Sequence, residues 1–114
     1  MTTANKANTT ELLHGTLDTL VLKVLSGGRR HGYAIARALE DSTDGVVEIE
    51  EGSLYPALYR MERKGWVDAE WGLSDLGRRA KFYRITAKGR RQLTTQSEEW
   101  VRFAAAISRV LIEP

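Results

Sequence analysis

Apolar positions along the chain keep two rhythms, a helical one over most of its length and a two-residue alternation confined to one stretch in the second half. Leu17, Leu20, Val21, Val24 and Leu25 recur at helical spacing, with Thr16 as candidate N-cap and Gly27-Gly28 as the stop. A tight turn, Arg29-Arg30-His31-Gly32, leads into a second helix from Tyr33 to Glu40, where Ile35 and Leu39 face inward and Ala36 permits close helix approach. After the turn cluster Asp41 to Gly45, the β-branched and partly alternating run Val46 to Glu50 predicts a minor strand.

The stretch Glu51 to Gly65 predicts a third, short helix. Ser53 is its candidate N-cap, Glu50 and Glu51 suit the positive end of a helix dipole, Pro56 is acceptable only within the first turn, and Gly65 ends the helix after basic Arg63 and Lys64. Tyr55 precedes the proline, which disfavours helical backbone locally. Winding the segment at about 100° per residue gathers Leu54, Leu58 and Met61 into a core stripe with Ala57 at its edge. The opposite face holds Ser53, Pro56, Tyr59, Arg60 and Arg63, and such a face suits a DNA major groove. There arginine can contact guanine edges or phosphates, and tyrosine can reach a phosphate or a thymine methyl. Periodicity by itself equally allows an ordinary amphipathic helix with a basic outer side.

Beyond Gly65 the period falls to two. Trp66 to Trp71 alternates Val67, Ala69 and Trp71 against Trp66, Asp68 and Glu70; Lys81 to Thr86 is again strand-like, and the loop Gly72 to Ala80 lies between them. The resulting hairpin presents Arg78, Arg79 and Lys81 at its tip or shoulder. Thr86 then caps a last helix running toward Leu111, in which Leu93, Trp100 and Ile107 repeat at seven residues and Phe103, Ala104, Val110 and Leu111 fill neighbouring positions. A terminal helix this long can hardly bury its apolar side within so small a domain, and a two-fold homodimer solves the problem economically.

Charge sharpens this picture. The net charge is +2, yet residues 60–91 contain ten basic and four acidic side chains, a local +6 that leaves −4 elsewhere. A basic patch on a nearly neutral chain points to a polyanion. One hundred and fourteen residues, 42% of them hydrophobic, suit a single domain. With no cysteine and only His14 and His31, disulfides are excluded and a metal site is not expected; no cofactor is expected either. No apolar run approaches the roughly 20 residues that span a bilayer, so the reading is a soluble cytoplasmic protein without membrane association. His31 reads as a turn residue satisfied by backbone hydrogen bonds, and Tyr33 sits where helix N–H groups can hold a phosphate or where a phenol can be half-buried packing.

Three helices followed by a two-stranded hairpin is the order of a winged helix-turn-helix. The fold class expected is therefore α+β, mostly α. Its parts are a polar, flexible arm over residues 1–11, a DNA-binding domain over 12–86 and a C-terminal dimerisation helix over 87–114.

Five pieces in this order also resemble the PadR family of transcriptional regulators, in its short form with one C-terminal helix. They are Gly15-Thr16-Leu17-Asp18; His31-Gly32-Tyr33-Ala34-Ile35-Ala36; Glu51 through Leu58; Gly65-Trp66; and Arg78 through Thr86 with Gly89 following. The resemblance spans about Leu12 to Leu111 and implies a dimeric DNA-binding repressor, usually released from its operator by a small molecule or autoregulated. By position it implies that Ser53, Tyr55, Pro56, Tyr59 and Arg60 belong to the recognition helix, Tyr33 to the start of the preceding helix, and Arg78, Arg79 and Lys81 to the basic wing. It departs from a polar wing at Leu73-Ser74-Asp75-Leu76. In multidrug-responsive members of the family an aromatic residue near the position of Trp100 lines a pocket at the subunit boundary. Trp100 can thus sense a small planar aromatic ligand, or simply anchor a dimer interface with Leu93, Phe103, Ala104 and Ile107. The competing class is a winged-helix module that binds protein rather than DNA. No nucleophile motif, metal cluster or phosphate-binding glycine loop supports an enzyme.

Overall fold

In the computed structural model, which describes residues 16–112, four helices and three short strands follow one another as α1 (Leu17–Leu25), β1 (Arg30–His31), α2 (Gly32–Ser42), α3 (Glu51–Arg63), β2 (Val67–Leu73), β3 (Arg79–Ile85) and α4 (Ala87–Ile112). The arm expected over residues 1–11, together with Leu12, Leu13 and His14, lies outside the described residues.

Each of the first three helices contributes one apolar stripe to a common core. Val21, Leu22 and Leu25 come from α1, Ile35 and Leu39 from α2, and Leu54, Ala57, Leu58 and Met61 from α3, closed on one side by Trp66, Val67, Tyr83 and Ile85 of the sheet region. Leu22, absent from the predicted stripe of α1, is fully buried, while Leu17, Leu20 and Val24 flank the core. The alternation that set Trp66 opposite Val67 does not hold at the strand's foot, where both are buried. Trp66 belongs to the end of α3 rather than to the strand.

Helix ends explain most of the boundaries. The His31 ring nitrogen Nδ1 accepts the Ala34 N–H at 3.2 Å, so α2 starts at Gly32, and its last turn extends past Glu40 to Ser42. Asp44 (φ 52°) and Gly45 (φ 81°) then turn the chain back, with the Gly45 N–H on the Glu40 carbonyl at 2.8 Å. The same device closes α3: the Trp66 N–H reaches the Met61 carbonyl at 2.9 Å and the Gly65 N–H reaches that of Glu62 at 3.1 Å. Gly65 takes φ 78° there, a conformation that glycine adopts without strain.

Four expectations are corrected. Ser53 is not the N-cap of α3; Glu50 is, and its carbonyl accepts the N–H groups of Ser53 and Leu54 at 2.9 and 3.0 Å. The helix therefore begins three residues earlier, and Pro56 lies beyond its first turn. The missing amide leaves no helical partner for the Gly52 carbonyl, in a first turn open to water. Val46 to Glu50 is extended but is no strand: the Thr43 hydroxyl accepts the Val47 N–H at 2.9 Å, Ile49 packs on the core, and among the described residues no neighbouring strand offers a ladder. The presumed turn at Arg30 and His31 pairs instead with Tyr83 and Phe82, adding an edge strand in the order β1-β3-β2. The hairpin is also longer than predicted, its register running from Val67↔Ile85 to Leu73↔Arg79 so that only Ser74 to Arg78 is loop.

Thr86 fastens the last helix. Its hydroxyl donates to the Gly65 carbonyl at 2.6 Å and accepts the Gly89 N–H at 3.0 Å, linking the end of α3 to the start of α4. Gly89 is buried against the Trp66 carbonyl, so close that a Cβ there would overlap it. Farther on, Thr19 donates to Gln96 Oε1 at 2.7 Å and Leu93 packs on the core.

Candidate nucleic-acid interface

The amphipathic division of α3 determines which side chains can meet a ligand. Leu54, Ala57, Leu58 and Met61 are buried, so Pro56, Tyr59, Arg60 and Arg63 are left exposed and Ser53 half-exposed on the other side. These are the five residues that the sequence assigned to one outer face, and the structure brings them together. Two of them are linked within the helix: the Arg63 guanidinium donates to the Tyr59 hydroxyl at 3.2 Å and lies 5.7 Å from its ring centre. Arg60 is tied instead to another helix, with Nη2 at 2.9 Å from Asp18 Oδ1 in the first turn of α1.

Tyr55 lies beside this face and has a second role. It packs on Gly32 at the start of α2, where an added Cβ would stand 2.5 Å from its hydroxyl and push the phenol aside, so the ring's present seat depends on the missing side chain. Partial burial, and after it the nearby Glu51 carboxylate, push the Tyr55 phenol above its ordinary pKa, so it stays a neutral hydrogen-bonding group at physiological pH. Tyr33, in the first turn of α2, is exposed; its hydroxyl, and then Asp41, raise the pKa of Arg37 one turn on. A tyrosine four residues before an arginine thus recurs on α2 and α3.

The hairpin distributes its cations unevenly. Arg78 occupies the loop, exposed, behind the turn closed by the Gly77 N–H on the Ser74 carbonyl at 2.8 Å. Arg79 stacks on Trp71, 4.8 Å from the ring centre. Lys81, two pairs below the tip and opposite Trp71, is half-buried and bonded to Glu62 of α3 at 3.3 Å, and so braces the wing against that helix. Trp71, Leu73 and Leu76 are exposed near the tip. On the outer side of the sheet Arg29 lies 4.2 Å over the Phe82 ring and 3.3 Å from Glu70, and the His31 ring meets Phe82 edge-on. Arg29, Phe82, Asp18 and Glu62 were not singled out from sequence. Their partners are 19 to 53 residues away, and no local pattern announces such pairs.

Residues 21–95 match the family model described as the transcriptional regulator PadR-like family. The chain belongs to that family. An uncharacterised protein of Lysinibacillus sphaericus is 34% identical over 91 residues, covering 79% of this chain and 83% of the relative. A transcriptional regulator of Clostridium thermocellum superposes with a TM-score of 0.79 at 30% identity, covering 87% of this chain and 96% of its own. A PadR-family regulator of Eggerthella lenta gives 0.77 at 30% identity, with 95% and 92% covered. The shared architecture is the winged helix with a long C-terminal helix, and the family and the two solved relatives are transcriptional regulators rather than enzymes. In this PadR-like chain α3 is the third helix of the winged-helix order, and β2 and β3 form the hairpin that follows it.

The remaining nominated residues lie along α4. Leu93 packs at the edge of the core and Ala104 is half-buried, whereas Trp100, Phe103 and Ile107 are exposed to the extent of 39%, 64% and 42%. Val110, Leu111 and Ile112 continue this apolar exposure to the end of the helix. Among the described residues no helix is long and apolar enough to cross a membrane, and no cluster of metal-ligating side chains occurs.

Proposed function

We propose that this PadR-like regulator is a homodimeric repressor that binds an inverted-repeat operator on double-stranded DNA. The observation that carries the reading is the outer face of α3: two guanidinium groups and a phenol held on the exposed side of a helix whose other side is locked in the core. In the major groove Tyr59, Arg60 and Arg63 orient the helix and discriminate bases, with Ser53, Tyr55 and Pro56 against the backbone at its start and Tyr33 beside them. Arg78 and Arg79 supply phosphate attraction from the wing, and Lys81 fixes the wing's angle while adding positive potential. Two α4 helices, paired through Trp100, Phe103, Ala104 and Ile107, would set the two recognition helices about one turn of DNA apart. A small planar aromatic effector stacked on Trp100 at that boundary would release the operator by favouring another dimer geometry.

The test is selection of fragments of the native genome by the purified protein, followed by footprinting. The expected result is a small set of fragments, each with two symmetric protected half-sites. Equal retention of all fragments at moderate ionic strength rejects the reading. Quenching of Trp100 fluorescence by planar aromatic compounds tests the effector separately. A second use, docking of a protein partner on the wing, draws on exposed Trp71, Leu73 and Leu76; it requires the basic face of α3 to be dispensable.

A further inference from the structure

On the outer face of α3 Arg60 differs from Arg63 in being paired with a carboxylate, as Lys81 is on the wing. Arg63 is bonded to the Tyr59 hydroxyl and Arg79 stacks on Trp71, but Arg60 Nη2 meets Asp18 Oδ1 at 2.9 Å. That carboxylate is well fixed. The Asp18 side chain is only 17% exposed, α1 beyond it is anchored by Val21, Leu22 and Leu25, and the adjacent Thr19 is bonded to Gln96 of α4. The Arg60 side chain, by contrast, remains 52% exposed. A guanidinium carries five donors in a rigid plane, so holding one amino group fixes the direction of the others and leaves them for a ligand.

We propose that Asp18 is a positioning residue for base recognition, holding the Arg60 guanidinium plane so that its free edge meets the O6 and N7 atoms of a guanine. The proposal rests on the docking of α3 in the major groove. Unpaired, a long side chain with a full positive charge would contact any phosphate within reach; paired with Asp18 it is both neutralised and aimed. The carboxylate thereby exchanges sequence-independent attraction for discrimination. It also places the direction of one base-reading side chain under the control of α1, the helix that contacts α4.

The experiment measures relative affinities for every single-base variant of one half-site of a fragment selected from the genome, beside a random duplex of equal length, at several salt concentrations. Arg60→Ala should flatten the preference at one G·C pair. Asp18→Asn, which keeps the shape of the side chain, and Asp18→Ala should reduce the preference at that same pair by about tenfold. Both should keep or raise affinity for the random duplex and steepen its salt dependence by about one unit, the freed charge now pairing with phosphate. Retained preference at the pair in both Asp18 variants overturns the proposal. So does a loss spread evenly over the half-site, because a mere tie between α1 and α3 would shift every contact together. If Arg60→Ala flattens no position, the docking of α3 itself is what fails.

Discussion

Thr86 has a single hydroxyl that serves two elements, donating to the end of α3 and accepting from the start of α4. Thr86→Val keeps the shape of the side chain and removes both bonds, leaving the amide of buried Gly89 uncapped. The expected loss is about 1–2 kcal/mol, read as a lower midpoint in urea with an unchanged slope, whereas Thr86→Ser should stay near the parent. Tyr83 makes a pH prediction. Burial, then the Glu62 carboxylate and Tyr55, raise its phenol above the ordinary value near 10. Because the unfolded chain loses that proton first, the contribution of Tyr83 is complete below about pH 10 and is lost as pH climbs through the raised native value. Unfolding curves from pH 8 to 11 should therefore show an alkaline decline that is smaller in Tyr83→Phe. Thr86 was legible in the sequence because capping is a local matter. The Asp18–Arg60 pair, 42 positions apart, was not.

At the level of elements, period was a sound guide wherever one face of a segment is buried. The core stripe of α3 and the pairing of two strands after Gly65 follow from it, since a helix or hairpin misplaced by one residue would turn its apolar side to water. Where an element owes its existence to a neighbour, period fails in both directions. Val46 to Glu50 has the composition of a strand but joins no sheet among the described residues, while Arg30 and His31 are too short to carry a pattern and become a strand because Phe82 and Tyr83 lie beside them. The wing illustrates a subtler limit, because the sequence grouped Arg78, Arg79 and Lys81 but only the fold separates the loop cation from the brace on Glu62. On the proposed function, Arg78→Ala with Arg79→Ala weakens binding to all duplexes and lowers the salt slope by up to about two units, measured by titration at several ionic strengths. An unchanged slope would remove the wing from the footprint.

For the molecule as a whole, the principal dimensions of 54 × 34 × 21 Å are those of a small core from which a helix projects. Helix α4 meets the core through Leu93 and Gln96 and exposes apolar side chains from Trp100 to Ile112. On the proposed pairing through this helix, Ile107→Glu should raise the dimer dissociation constant at least tenfold, roughly, without lowering helical content. Sedimentation at micromolar concentration reads the result, and an unchanged mass would contradict the pairing. The apolar face that α4 leaves exposed was legible from the seven-residue repeat. The point of attachment was not, since it depends on the missing side chain of Gly89. The helix is anchored near its first turn on the Trp66 carbonyl, beside the end of α3, while its far end lies about 35 Å away at 1.5 Å per residue. Such a rod works as a lever: a swing of about 3 Å at the tip becomes only about 5° at the fulcrum, a reduction ratio built into the fold by one absent methyl group.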